Sequence, residues 1–207
     1  MRKNKTQLLI ATRNAGKIKE LKELLTELPI EIRCLNEFPN IVEPEESGAN
    51  FAENAVLKAK YYARQTKLWA LADDSGLEVE ALDGAPGVFS ARYAGENAAD
   101  IEKIEKLLRE LNNIKNIKDR RARFVCAVAI ADETGAIKFI ADSICDGAIA
   151  LNASGTNGFG YDSVFIPDGF SSTFGELSDQ IKRKISHRAR ATGKIIQYLR
   201  RFHHAST

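Results

Sequence analysis

Two adjacent carboxylates, Asp73 and Asp74, follow the apolar run Leu68-Trp69-Ala70-Leu71-Ala72 and precede Ser75-Gly76. An apolar run that stops at a turn-forming pair reads as a buried strand ending in a loop. In α/β folds ligands bind beyond the carboxyl ends of strands, so this position suits chemistry. A hard cation such as Mg²⁺ is held by one or two carboxylates together with substrate phosphates. An Asp at a strand end also serves simply to cap the next element. Alone, the pair leaves both readings open.

Other clusters carry suitable side chains. Thr12-Arg13-Asn14-Ala15-Gly16-Lys17 lies between a strand pattern and a helix pattern. Free backbone N–H groups at a helix start, with a Lys, make an anion site. It is not a P-loop, which needs Gly where this chain has Ala11 and Ser or Thr where it has Ile18. An ordinary N-cap with an exposed Lys is the alternative. Further on, Glu45-Glu46 sits in a polar loop, and Glu53, Asn54 and Lys58 fall near one helical face. A loop carboxylate would complete a metal site with Asp74, and Lys58 would meet phosphate. A solvated loop with a weak Glu–Lys pair is the plainer reading.

In Thr156-Asn157-Gly158-Phe159-Gly160-Tyr161-Asp162 the glycines permit close backbone approach. Phe159 and Tyr161 offer stacking faces, and Asp162 offers an acceptor for a purine ring N–H. A turn-rich hairpin is the alternative. Lys182, Ser186 and Arg190 share a helical spacing, and His187-Arg188 has several donors for a carbonyl or phosphate. A solvated basic face has the same composition. Ser186-His187 with Asp74 is not a hydrolase triad, because no GxSxG elbow is present.

The elements that must position these groups follow from periodicity. Strands are predicted at 8–11, 30–35, 121–131, 137–141, 143–149 and 164–166, besides the strand ending at Asp73-Asp74. Helices are predicted at 17–28, 50–65, 98–111 and 186–202, the first on a stripe of Ile18, Leu21, Leu24, Leu25 and Leu28. Thr134-Gly135 forms a hairpin turn, residues 84–95 a loop and residues 168–174 a surface loop. Early alternation and late clustering of strands predict a mixed α/β sheet. Residues 112–119 are the best candidate for a lobe boundary. Trp69 reads as core, and His203 and His204 as a frayed tail.

Length and composition bound the rest. A chain of 207 residues suits one domain, or one with two lobes, with ample core. The formal net charge is +2 with no long block of like charge, so nothing calls for nucleic acid. Three distant cysteines, Cys34, Cys126 and Cys145, give neither a disulfide framework nor a zinc site. Cys126 and Cys145 lie in apolar segments and read as buried thiols, which fits a reducing cytoplasm. The basic N-terminus leads into only Leu8-Leu9-Ile10, too short for a secretion signal or a membrane span. The expectation is a soluble cytoplasmic protein with no membrane partner.

The order of the motifs is more specific than any one of them. Thr12-x-Asn14-x-x-Lys17, Glu45-Glu46-Ser47-Gly48, Glu53-Asn54-Ala55-x-x-Lys58-Ala59 and Ala72-Asp73-Asp74-Ser75-Gly76-Leu77 occur in series. Gly84-Ala85-Pro86-Gly87-x-x-Ser90-Ala91-Arg92-Tyr93-x-Gly95, Gly158-Phe159-Gly160-Tyr161-Asp162 and Ser186-His187-Arg188 complete it. This series resembles the inosine/xanthosine triphosphate pyrophosphatase family over residues 8–198. The resemblance implies Mg²⁺-dependent hydrolysis of dITP, ITP and XTP to the monophosphate and pyrophosphate, clearing deaminated purines from the nucleotide pool. It implies one two-lobed domain over 1–207, a long mixed central sheet flanked by helices, an active site in the cleft between lobes, and a homodimer.

Carried over by residue, the resemblance gives Thr12, Arg13, Asn14, Ala15, Gly16 and Lys17 to the triphosphate. Lys58 and Lys182 add charge there. Glu45 and Asp74 hold Mg²⁺, and Asp74 is also the general base or water-orienting group. Ser75 touches substrate. Phe159, Gly160, Tyr161 and Asp162, with His187 and Arg188, bind the base. Three rivals stand beside this: a pyrophosphatase for other altered nucleotides, a nucleotide- or RNA-binding module on the basic face 182–190, and a structural dimer module.

Overall fold

The computed structural model describes residues 6–205. The chain divides into two compact units, each assembled from separate stretches. One takes the described residues up to Asp74, then Cys126–Ser143, then those from Arg188 on; the other takes Ser75–Val125 and Ile144–His187. The expected boundary at 112–119 is thus corrected, for those residues lie inside the second unit. The chain changes unit within β3, β4 and β5 and at the start of α5, where no polar linker marks the sequence.

The strands are β1 (Gln7–Ile10), β2 (Glu31–Cys34), β3 (Trp69–Val79), β4 (Arg121–Ala131), β5 (Ile137–Ile149) and β6 (Phe165–Pro167). Among the described residues they form one sheet in the order β2-β1-β3-β4-β5-β6. β1 runs parallel to β2 and β3, while β5 and β6 are antiparallel, so the sheet is mixed as expected. The helices are α1 (Ala15–Leu25), α2 (Phe51–Thr66), α3 (Asp100–Glu110), α4 (Asp179–Ile185) and α5 (His187–Ala205). None of the described helices is long and apolar enough to cross a membrane.

Each unit has its own apolar core. In the first, Leu8 and Ile10 of β1 pack with Leu21 and Leu25 of α1, Val128 and Ile130 of β4, and Ile195 and Leu199 of α5. β1 lies between two parallel neighbours, which is why its buried residues Leu8, Leu9 and Ile10 are consecutively apolar. In the second, Leu77 and Val79 of β3 pack with Leu107 of α3, Phe124 of β4, Phe165 of β6 and Phe174. Cys34, Cys126 and Cys145 are all buried free thiols, and Trp69 is half-buried against the first core.

Several elements differ from the sequence expectation. β3 does not end at Asp73-Asp74 but runs five residues further to Val79. Leu77 and Val79 are fully buried, and their burial overrides the turn preference of Ser75-Gly76. The two strands expected at 137–141 and 143–149 are one, β5. Asp142 does not interrupt it, because Asp142 is exposed while Ala141 is buried, as alternation along a strand allows. The last helix is two helices broken at Ser186, whose extended backbone ends α4 and whose N–H donates to the Lys182 carbonyl. Ser favours helix ends over interiors, so Lys182, Ser186 and Arg190 do not share one helical face. Of the expected surface loop 168–174, Thr173 and Phe174 are core. Residues 84–95 contain a short 3-10 helix, Gly87–Arg92. α5 continues through His203 and His204 to Ala205.

Candidate functional site

Successive side chains of a strand point to opposite faces. Asp73 and Asp74 sit mid-strand in β3, so they answer to different helices. Asp73 has a fully buried side chain and pairs with Lys17 Nζ of α1 at 3.1 Å and with Arg188 Nε of α5 at 3.1 Å. Arg188 also reaches Glu20 of α1, Nη1 to Oε2, at 2.5 Å. Asp74 faces α2. Its Oδ1 accepts from Lys58 Nζ at 2.8 Å and its Oδ2 from Asn54 Nδ2 at 3.2 Å.

Lys58 also donates to Glu46 Oε1 at 2.7 Å, so one ammonium bridges two carboxylates. Asn54 fastens the acidic loop as well, since its Oδ1 accepts from the Gly48 N–H at 2.8 Å. These contacts place Glu46 beside Asp74 and Lys58. Glu45, the carboxylate chosen from sequence, has an exposed side chain on the same loop. Glu53 does not pair with Lys58 but caps the start of α2, accepting from the Ala49 N–H at 2.8 Å.

The loop before α1 is a side-chain-capped helix start. Asn14 is the N-cap and its Oδ1 accepts from Lys17 N–H at 3.0 Å, while Thr12 Oγ1 accepts from Asn14 N–H at 3.2 Å. Ala15 and Gly16 open the helix with no acidic side chain in the first turn. An acid there would compete with an anion for the positive end of the helix. Arg13 is turned to the segment after β2, donating to the Ile41 carbonyl at 2.8 Å and pairing with Glu43 at 3.3 Å.

The electrostatics separate the two aspartates. Burial pushes the Asp73 carboxyl up, but Lys17, Arg188 and Lys58 more than offset it and hold it well below the ordinary range. Asp74 is raised by burial, which Lys58 and Lys17 offset only in part. Burial disfavours the Lys58 ammonium, yet Asp74, Asp73 and Glu46 together push its pKa above the usual Lys value.

The second unit carries the aromatic loop. Asp162 turns back on its own loop: its Oδ2 accepts from Phe159 N–H at 2.8 Å and from Lys182 Nζ at 2.5 Å. The Lys182 ammonium lies 5.0 Å from the Phe159 ring centroid. Lys182, expected on the phosphates, thus stands with Phe159 and Asp162, the residues expected at the base. Gly158 has φ +77° and a side chain there would meet Asp162. Tyr161 is buried, its hydroxyl donating to the Ser90 carbonyl at 2.9 Å. His187 is buried and stacks on Phe124, with ring centroids 4.7 Å apart and planes 13° from parallel. Ser75 is half-buried beside Asp74 in sequence.

The structure thus gathers Lys17, Lys58 and Asp74 in the first unit and Phe159, Gly160, Tyr161, Asp162, Lys182 and His187 in the second. Glu46, Asn54 and Glu20 belong with the first group; the sequence offered Glu46 beside Glu45 and Asn54 on the Lys58 face without giving either a partner, and did not single out Glu20. For Asn54 a signal existed, since it precedes Lys58 by one helical turn. Nothing local distinguishes Glu46 from Glu45, or marks Glu20 as the partner of a residue 168 positions away.

The Ham1 family model matches residues 8–198. A dITP/XTP pyrophosphatase of Bacillus anthracis is 45% identical over 193 residues, covering 91% of this chain and 94% of its own. The solved structure of a HAM1 protein from Coxiella burnetii superposes with a TM-score of 0.84 at 41% identity, over 95% of this chain and 99% of that one. The Staphylococcus aureus Ham1 protein gives 0.81 at 39% identity, over 94% and 98%.

Proposed function

The chain belongs to the Ham1 family, and on that premise we propose that it is a nucleoside-triphosphate pyrophosphatase. It hydrolyses dITP, ITP and XTP to the monophosphate and pyrophosphate. The observation that carries this reading is Lys58 bridging Asp74 and Glu46. A buried ammonium between carboxylates suits phosphate charge and a metal in one place.

The donors fit Mg²⁺. Asp74 and Glu46 offer only carboxylate oxygens, which a hard cation prefers. Among the described residues no cluster of three or more His, Cys, Asp or Glu forms a dedicated cage. That suits an ion shared between a carboxylate or two and the substrate's own phosphates. Asp74 holds the ion with a carboxylate from the loop, Glu45 from the family resemblance or Glu46 from its position here. When bound, Mg²⁺ supplies positive charge at the phosphates and lowers the pKa of a coordinated water.

The chain's residues do the rest. The backbone N–H groups at the start of α1, framed by Thr12 and Asn14, hold phosphate oxygens, and Lys17 exchanges Asp73 for phosphate. Lys58 offsets charge as the bridging oxygen leaves. Asp74 orients the attacking water and takes its proton. Ser75 contacts substrate. Phe159 and Tyr161 frame the base, Asp162 accepts from a ring N–H, and Lys182 lies beside it. His187 donates to the C6 carbonyl of hypoxanthine or xanthine, while Arg188, which the resemblance gives to the base, is held here on Asp73 and Glu20. Adenine presents an amino group there, which would leave a buried donor facing a donor. The reading includes a single catalytic domain and a homodimer.

Asp74→Asn is expected to lower kcat for ITP by at least about a hundredfold, the ordinary worth of a general base. Lys17→Ala is expected chiefly to raise KM. Steady-state pyrophosphate release checks both; a fully active Asp74→Asn enzyme would remove Asp74 from the chemistry.

A further inference from the structure

The aromatic loop is held from outside as well as by its own Asp162. The Gly160 N–H donates to Asp100 Oδ2 of α3 at 2.6 Å. Asp100 Oδ1 pairs with Lys103 Nζ, one helical turn on, also at 2.6 Å. On the loop's other side the Tyr161 hydroxyl bonds the Ser90 carbonyl. Ser90 is itself fixed, its Oγ accepting from Leu77 N–H at 2.9 Å and donating to the Gly87 carbonyl at 2.6 Å. Gly160 has φ +60°, a conformation with no intrinsic preference over its alternatives in glycine. Contacts around the loop must therefore select it, and the Asp100 carboxylate is the one that holds the Gly160 N–H itself.

We propose that Asp100 is a positioning residue for base recognition: by holding the Gly160 N–H it fixes the peptide that carries Phe159. This rests on the reading of the loop as the base site. Asp100 touches no substrate itself. Its place in the first turn of α3 is favourable for an acid in any case, and its pair with Lys103 is half-exposed and weak. A role confined to α3 and a role at the loop are separated by which variant restores function.

Asp100→Ala removes the acceptor and the charge. Asp100→Asn keeps an acceptor for Gly160, and Lys103→Gln removes the ion pair alone. The expected result is a KM for ITP raised about fivefold to tenfold in Asp100→Ala, the worth of one ordinary hydrogen bond to a half-exposed acceptor. Asp100→Asn and Lys103→Gln stay near wild type, and kcat is little changed in all three. Competitive inhibition by inorganic pyrophosphate, which has no base, is unaltered. Amide exchange at Gly160 in the free protein is faster in Asp100→Ala and restored in Asp100→Asn, a readout that does not depend on turnover. The proposal is overturned by an unchanged KM in Asp100→Ala, by an Asn variant as impaired as the Ala variant, or by pyrophosphate inhibition weakening in parallel. Wild-type protein that releases no pyrophosphate from ITP would instead sink the functional reading itself.

Discussion

Asp73 and Asp74 show how one covalent bond separates two jobs. Alternation along β3 turns Asp73 toward Lys17 and Arg188 and Asp74 toward Lys58 and Asn54. Asp73 is a structural counter-ion: its carboxyl lies below the ordinary range, so it contributes stability at all pH values above its unfolded pKa of about 3.9. That contribution is lost as pH falls through the lower folded value. At pH 7, Asp73→Asn leaves two buried cations short of a partner and should cost about 3 kcal/mol, a fall in Tm on the order of 10 °C. Asp74 has the opposite sign. Burial raises its carboxyl, so its ionised form opposes folding most at neutral pH and less as pH falls toward the raised value. In metal-free buffer at pH 7, Asp74→Asn should lower Tm less than Asp73→Asn does, because relief of the buried carboxylate offsets part of the loss and Glu46 still pairs Lys58, while activity collapses. Thermal melts of the two variants side by side check this, and equal losses would contradict it. The sequence displayed both residues and their charge; which face each takes depended on the strand continuing, and that was not legible.

Among elements, those set by local pattern were read best. β4 has the bounds its apolar run predicts, Arg121–Ala131, and α2, expected at 50–65, is Phe51–Thr66 with Asn50 as its N-cap. The misread elements are those where burial overrides a local signal: β3 passes Ser75-Gly76 because Leu77 and Val79 enter the second core, and Phe174 is buried within a segment that looks like surface. Glycine-rich loops were recognised as special without their reason being visible. At Gly158 the reason is twofold, a φ of +77° and the Asp162 carboxylate occupying the space of a side chain. Gly158→Ala should therefore displace Asp162 from Phe159 N–H and Lys182. The expected outcome is a KM for ITP raised about tenfold or more with pyrophosphate inhibition retained, since one displaced charged hydrogen bond is worth at least that. Unchanged ITP kinetics in Gly158→Ala would show that the loop geometry does not serve the base.

At the scale of the molecule, each unit joins stretches far apart in sequence around its own core. That is why no polar linker marks a boundary, and why the order of motifs carried more information than any segment alone. Lys17, Lys58 and Asp74 stood out by residue type and spacing, but their pairing with Asp73, Glu46 and Asn54 emerges only from long-range packing. The central claim is that one chain combines metal-assisted attack on a triphosphate with recognition of a C6-carbonyl purine. The most direct test is pyrophosphate release from ITP, XTP, GTP and ATP in parallel, with Mg²⁺ and with chelator. Release from ITP and XTP is expected well above that from GTP and ATP, and is abolished by chelator. Equal release from all four would contradict the base site, and release that persists in chelator would contradict the metal site at Asp74.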